Sequence, residues 1–428
     1  MRHYPVISLL ILAAAVRSHA ANPSAQLQQG DYVAVVGDSW AAVYGRPELA
    51  PEPYCTFLEA FLVGCKPAPD LSVTQFGYPQ TTSYGYAFYG GAGNDVLRFH
   101  PTVATLWFGM SESGWTALTP EREKSIRDGL TLLVQVMKKG NVRQVVVGSP
   151  GYVDETWKVP AQAATMNNTF AAIRDIAKEV AGKEGAVFAD IFGTMREATA
   201  KGKAKYGREF ALSGGDVWRA NRAGQLIMAY TLLKALGCDG NLGTITVDLA
   251  AGKAEASEGH KVRSAEKGEI QIESVRYPFC LCPGPAKPDW THAVPEIVPF
   301  HEDLNRFRLV VRNIGTAKAA VTWGSDSKQF SAGQLEKGIN LAAEFADNPF
   351  RELFQKLEQR IQEQQKVETV LSNVLMNRLR PYVALVPDLK QQTEQLAPAI
   401  AKRSKGERDA TAAVVKSLLH TIKIIPVK

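Results

Sequence analysis

The sequence predicts a three-layer α/β domain followed by a β-rich unit and a helical tail, and three observations carry that prediction. Between residues 31 and 237, short apolar runs of strand length alternate with helix-like stretches. From residue 238 to 333, strand-length runs follow one another with no helical pattern between them. From residue 334 the apolar side chains return at helical spacing. A switch from mixed to period-two to period-3.6 patterning marks three successive architectures.

In the first part the strand-like runs are YVAVVG (32–37), LSVTQFG (71–77), TVATLWFG (102–109), RQVVVGSP (143–150) and AVFADIFG (186–193). Near-continuous apolar runs of this kind suit a parallel sheet covered by helices on both faces. The helices are expected near 54–64, 119–139, 161–182 and 222–236. In the second of these, Pro120 stands at the start, acids fill the first turn, and lysines and Gly140 close the end, as a capped helix requires. Sheets built this way place their sites at the carboxyl ends of the strands. In the β-rich unit, TITVDLA (244–250), GEIQIESVRY (268–277), RFRLVVRN (306–313) and AAVTWG (319–324) read as strands, with the Pro-rich link CLCPGPAKPDW among them. In the tail (334–428), Phe350, Leu353, Phe354, Leu357, Ile361, Val370, Leu371, Val374 and Leu375 form an apolar stripe. It reads as a packing face, with a homodimer interface as the sharper alternative. A second helix pair is expected, broken at Arg380-Pro381.

Residues 1–20 read as a secretory signal peptide: Arg2 begins it, Val6–Val16 is largely apolar, and Ser18-His19-Ala20 fits a cleavage site. The product is expected to be secreted or periplasmic, with no transmembrane anchor, because no later run reaches 18 apolar residues. The formal charge of +6 is small for 428 residues, and its basic side chains are dispersed among acids, which excludes a nucleic-acid stripe. The cysteines are Cys55, Cys65, Cys238, Cys280 and Cys282. Cys55 and Cys65 flank an apolar segment and are candidates for a disulfide. Cys280-Leu-Cys282 has the wrong spacing for a zinc knuckle, so neither metal nor cofactor is expected.

The first strand ends VVGDSW, which puts Gly37, Asp38 and Ser39 in the turn at its carboxyl end. Alone, G-D-S is a weak signal. Late in the same domain, GGDVWRANRAGQ (214–225) opens the last helix, with Asp216 three residues before Arg219. A serine after the first strand combined with D-x-x-[base]-x-N-x-x-G before the last helix is much rarer. On these motifs the segment 31–237 resembles the SGNH/GDSL hydrolases, secreted or periplasmic esterases of flavodoxin-like three-layer fold. The leader, β-rich insert and helical tail are similar to secreted bacterial, planctomycete-type members.

The resemblance implies nucleophilic acyl transfer in which a histidine activates the serine and an aspartate orients the histidine. It also implies an oxyanion hole made by the serine N–H, a glycine N–H and an asparagine side chain. Ser39 matches the nucleophile and Asp216 the orienting acid. At the histidine position stands Arg219, followed by Ala220 where the family has proline. After the second strand, the family glycine aligns with Gln80. After the third, the family's G-x-N-D aligns with Gly109-Met110-Ser111-Glu112, so its asparagine becomes Ser111. Asn94-Asp95 is a decoy: it precedes the third strand and reads as helix capping.

These departures compound. A guanidinium has no lone pair to accept a proton, so Arg219 cannot act as base. Losing a triad member leaves roughly 10³–10⁴-fold catalysis over water, and a lost oxyanion donor costs roughly a further 10²–10³. His100, His260, His292, His301 and His420 remain in the mature chain, but only a fold-back could bring one to Ser39. The expectation is therefore a hydrolase-like protein with impaired catalysis that binds an acylated saccharide or a small ester. The alternative is an active esterase acting through Ser39 with an unorthodox base. Trp40, Trp218 and Tyr78 are candidate cleft-lining aromatics, and Tyr78, Tyr84, Tyr86 and Tyr89 cluster in one loop as a pocket wall or a surface clasp. Asn167-Asn168-Thr169 is read as an incidental glycosylation acceptor.

Overall fold

The computed structural model describes residues 26–38, 41, 53–78, 81–155, 160–213, 220–281, 291–371 and 385–427. Its first part is the expected α/β domain. Strands β1 (Tyr32–Gly37), β2 (Ser72–Gly77), β3 (Val103–Trp107), β4 (Gln144–Gly148) and β5 (Val187–Ala189) form one sheet in the order β2-β1-β3-β4-β5. Every neighbouring pair in it is parallel. Val33 to Val36 are fully buried, because helices cover both faces of the central strand. Those helices are α1 (Tyr54–Ala60, continued by a π-helical turn Phe61–Cys65), α2 (Ser83–Phe88), α3 (Pro120–Lys139), α4 (Pro160–Lys183), α5 (Ile191–Tyr206) and α6 (Arg222–Ala235). The run 186–193 is strand only to Ala189. Asp190 then caps α5 by accepting the Gly193 N–H at 2.9 Å, so its apolar second half is a buried helical start.

The β-rich part is two packed sheets. One contains β6 (Asn241–Asp248), β7 (Lys253–Ala256), β10 (Arg306–Arg312) and β13 (Ile339–Asn340), in the order β13-β10-β6-β7. The other contains β8 (His260–Glu266), β9 (Glu269–Ser274), β11 (Lys318–Trp323), β12 (Asp326–Ser331) and β14 (Leu418–Val427), in the order β12-β11-β14-β9-β8. A short helix, α7 (Phe300–Leu304), interrupts the region where the sequence pattern showed none, being too short for helical periodicity to be legible, while α8 (Ala332–Lys337) and α9 (Leu341–Glu344) open the segment read as helical. Helices α10 (Arg351–Thr369) and α11 (Pro387–Ala412) are the expected tail helices. The last residues correct the reading of 334–428 as wholly helical. LLHTIKIIPV places His420, Ile422 and Ile424 inward at period two, and the resulting strand pairs with β9 and β11 in the middle of its sheet. The boundary at residue 333 is therefore not a structural one.

The tail stripe packs within the chain. Leu357 and Phe354 lie against Gly64, where an added Cβ would approach Leu357 Cδ2 to 2.9 Å, and Phe354 meets Phe279 at 4.9 Å between ring centroids. Further along α10 the buried face turns polar and covers the exposed edge of β2. Gln364 Nε2 donates to the Val73 carbonyl at 3.1 Å, and Glu368 Oε2 accepts the Gln75 N–H at 3.2 Å. The Gln75 side chain itself accepts the Gly77 N–H at 2.9 Å. An edge strand must satisfy these groups or attract another chain; here a helix takes the place of the missing strand.

Cys55 and Cys65 do not form the disulfide considered from their spacing. Both are free and buried, as are Cys238 and Cys280, because Cys55 and Cys65 sit along one helical segment that holds them apart. No described helix is long and apolar enough to cross a membrane. Among the described residues no cluster of His, Cys, Asp and Glu is arranged to hold a metal ion.

Candidate active site

The carboxyl ends of β1, β2 and β3 converge where the motifs place the chemistry. At the end of β1, a Cβ on Gly37 would lie 2.8 Å from the Trp107 carbonyl and 3.0 Å from Ala41 Cβ, so only glycine fits before the D-S pair. Asp38 is fully buried; its N–H donates to the Trp107 carbonyl at 3.3 Å, and its carbonyl accepts the Ala41 N–H at 3.1 Å. Ser39 and Trp40, between those anchors in sequence, lie outside the described residues. Beside Gly37 stands the Tyr54 ring of α1, wholly buried and 6.2 Å from Trp107. Burial pushes its hydroxyl well above the ordinary tyrosine range.

The β2 and β3 loops are tied to this turn and to each other. Tyr78 N–H donates to the Gly37 carbonyl at 2.8 Å, which holds Tyr78 beside the end of β1, its ring 6.2 Å from Tyr86. Gln80 lies outside the described residues. Past it, Thr82 caps α2 by accepting the Gly85 N–H at 3.0 Å. After β3, Gly109 has φ +128°, and a Cβ there would meet Pro150 Cγ at 2.5 Å; both facts demand glycine. Ser111 is half-buried, and its side chain forms no hydrogen bond among the described residues. Its neighbour Glu112 does the joining. One carboxylate oxygen accepts the Ser83 N–H at 2.5 Å and the other the Gly109 N–H at 2.8 Å. Burial raises the Glu112 pKa, and these backbone donors oppose the rise. A single side chain thus fixes the spacing of the loops that carry Gln80 and Ser111.

The acid–base loop is pinned at both flanks. Ser213 and Ala220 form an antiparallel bridge around residues 214–219, which lie outside the described residues and include Asp216, Trp218 and Arg219. Asn221 caps α6 through Gly224 N–H at 3.0 Å and donates from its amide to the Ala211 carbonyl at 2.8 Å. Buried Gln225 accepts the Tyr54 N–H at 2.9 Å and donates to the Ala220 carbonyl at 3.3 Å. It thereby links the exit of this loop to the helix that follows the nucleophile turn. Asn221 was visible in the motif; Gln225 carries no sequence signal beyond lying one turn into an apolar helix. Glu112 could have been noticed, since it holds the acidic place in the G-x-N-D pattern.

Three of the described histidines, His260, His301 and His420, are engaged elsewhere. Trp323 N–H donates to His420 Nδ1 at 3.2 Å, and His420 Nε2–H donates to Ser274 Oγ at 2.9 Å. Ser274 donates to His260 Nδ1 at 2.7 Å, and His260 Nε2–H donates to the Leu242 carbonyl at 2.8 Å. This chain is buried between the β sheets and is satisfied only when both imidazoles are neutral. Accordingly burial depresses His260 and takes His420 down to about 3. His301 accepts from the Asn305 amide at 3.2 Å. His100 is exposed at the amino end of β3, away from the catalytic edge, and the His292 side chain lies outside the described residues. Asn94 and Asp95 lie in a π-helical turn, Ala92–Val96, rather than at the helix start expected for them. Of the tyrosine cluster, Tyr78 follows β2, while Tyr84, Tyr86 and Tyr89 belong to helix α2 and its cap rather than a loop: Tyr86 faces the core while Tyr84 and Tyr89 are exposed.

Residues 35–210 match the GDSL-like Lipase/Acylhydrolase family. The α/β domain belongs to the SGNH/GDSL hydrolase superfamily. Among solved structures, a gut microbial diltiazem-metabolizing enzyme aligns over 94% of this chain and 98% of its own, with a TM-score of 0.66 and 19% identity. At that identity the likeness concerns the fold, and it extends through the β sheets and tail helices of this chain. A catalytic mutant of an acetylxylan esterase from Geobacillus stearothermophilus aligns with 49% of this chain and 96% of its own, at 16% identity and a TM-score of 0.40. A lipase/acylhydrolase from Enterococcus faecalis aligns with 48% of this chain and 94% of its own, at 14% identity and a TM-score of 0.36. No curated protein matches the sequence.

Proposed function

We propose that this protein is a catalytically impaired SGNH hydrolase that retains a cleft for an acylated saccharide or a small ester and works outside the cytoplasm. The observation that carries the reading is the residue at the base position. Arg219 immediately precedes Ala220, whose place is fixed by Gln225 and the Ser213 bridge, and an arginine there cannot accept the serine proton. The His260, His301 and His420 side chains, engaged elsewhere, and His100 at the opposite end of β3 support it further. Gln80 and Ser111 weaken oxyanion stabilisation on top of the missing base. The reading assigns Trp40, Trp218 and Tyr78 to aromatic stacking on a bound ligand. Export through the segment 1–20 belongs to the same proposal, as does homodimerisation through the tail. Phe354, Leu357 and Ile361 are buried within the chain, so a dimer would use other tail surface.

A second reading, an active esterase, is favoured by one observation: the Glu112 clamp keeps the loops of the oxyanion region in register. Back-mutation separates the two. Arg219→His alone is expected to leave ester hydrolysis at background, whereas Arg219→His with Gln80→Gly and Ser111→Asn is expected to raise it by at least about 10²-fold. Robust turnover in the single variant would show that the oxyanion changes matter little. For ligand binding, isothermal titration with acetylated xylo-oligosaccharides should give heat that Trp218→Ala abolishes; no heat with the wild type would remove the saccharide.

A further inference from the structure

Helix α2 presents three aromatic side chains to solvent: Tyr84 is 38% exposed, Phe88 61% and Tyr89 69%. Tyr84 and Phe88, one helical turn apart, stack with centroids 5.4 Å apart and planes 10° from parallel. Tyr89 meets Phe88 edge-on at 5.4 Å. The rings therefore brace one another before any ligand arrives. Their backbone is equally fixed. A Cβ on Gly129 of α3 would lie 2.3 Å from the Tyr84 nitrogen, Thr82 caps the first turn, and Glu112 holds Ser83. Side chains with two χ angles on such a base lose little entropy on binding.

The platform begins at the candidate active site. Ser83 is tied through Glu112 to the loop that carries Ser111, and Tyr78 at the nucleophile edge contacts Tyr86 on the same helix. From Tyr84 to Tyr89 the rings extend about 8 Å along the helix axis. The charge pattern selects the occupant. From Leu71 to Asn94 the chain carries no acidic or basic side chain, and on α3 the neighbouring Lys124 is already paired with Asp128. An anionic polymer or an anionic lipid surface would require basic residues beside the rings. Exposed aromatic faces with phenolic hydroxyls, beside a lysine already paired with an aspartate, suit a neutral saccharide, whose C–H faces stack on rings while its hydroxyls accept and donate.

We propose that Tyr84, Phe88 and Tyr89 form a binding platform for a neutral polysaccharide chain whose acylated residue lies at Ser39. This rests on the reading of the cleft as a saccharide site. The test is affinity electrophoresis of the full chain in gels containing soluble acetylated xylan, with wild type, Phe88→Ala/Tyr89→Ala and Trp218→Ala. Both platform residues are exposed, so the double variant should keep its thermal midpoint. Its dissociation constant for the polymer is expected to rise about tenfold, the loss of roughly one to two aromatic contacts. Binding of a short acetylated xylobiose is expected to stay unchanged in the double variant and to weaken in Trp218→Ala. Unchanged polymer retardation in Phe88→Ala/Tyr89→Ala, with Trp218→Ala impaired, would overturn the platform and leave the cleft reading standing. No retardation of the wild type, with no xylobiose binding, would overturn both. Loss of neutral-vesicle binding or of a dimer, with polymer binding intact, would reassign the patch to a lipid surface or a second copy.

Discussion

Glu112 shows how much one buried side chain can hold at a site. Removing it in Glu112→Ala strands two backbone donors, Gly109 N–H and Ser83 N–H, each costing about 1–3 kcal/mol when unpaired and buried. The expected result is a loss of about 2–4 kcal/mol in urea unfolding; Glu112→Gln, which keeps one acceptor, should lose less. Equal losses in the two variants would mean that the clamp adds nothing beyond packing. At this scale the site was partly legible. Gly37, Gly109 and Asn221 stand where the motifs put them, for steric and capping reasons that residue type alone conveys. Gln225 and the Ser274–histidine chain were not legible, because their partners are 171, 14 and 146 residues away in sequence, and pairings at that range leave no periodic trace.

Among elements, the strands of the α/β sheet were readable to within a few residues, since a doubly covered strand is apolar along its whole length. Two elements misled for opposite reasons. The QKLEQRIQEQQK segment of α10 is charged and polar, yet Gln364 and Gln365 within it and Glu368 just beyond it are buried against α1 and β2. A polar residue whose partner is the edge of a sheet is indistinguishable in sequence from one facing water. Strand β14 follows a long helix and was absorbed into it, although its period-two pattern was present. Because it lies between β9 and β11, truncation after residue 417 should expose both inner faces. The truncated chain is expected to be insoluble or protease-sensitive through the β region; limited proteolysis matching the full chain would show that β14 is dispensable.

For the whole molecule, two buried polar clusters set opposing pH limits. Glu59 is held by the Gln364 and Gln365 amides at 2.7 and 2.8 Å, with Arg360, Arg408 and Glu368 among its charged neighbours, and burial raises its pKa to about 8. The native state then keeps a proton that the unfolded chain has lost above about 4.3, so this group's contribution declines as pH rises toward 8. His420 works the other way. The unfolded chain gains its proton below about 6.5, while the native state resists it down to about 3, so stability falls as pH drops through that window. The thermal midpoint should therefore decline on both sides of a plateau at about pH 4.5–6.5. Glu59→Gln should make the alkaline decline shallower, Glu368 keeping the remainder. It should also tilt the plateau upward with pH, because the His420 slope is then less opposed; an unchanged alkaline slope would remove Glu59 from the account. None of this bears on whether Ser39 still performs chemistry, the claim on which the functional reading turns. The most direct measurement is p-nitrophenyl acetate hydrolysis by the purified full chain beside Ser39→Ala. The account predicts the same low background from both, and hydrolysis that disappears with Ser39 would contradict it.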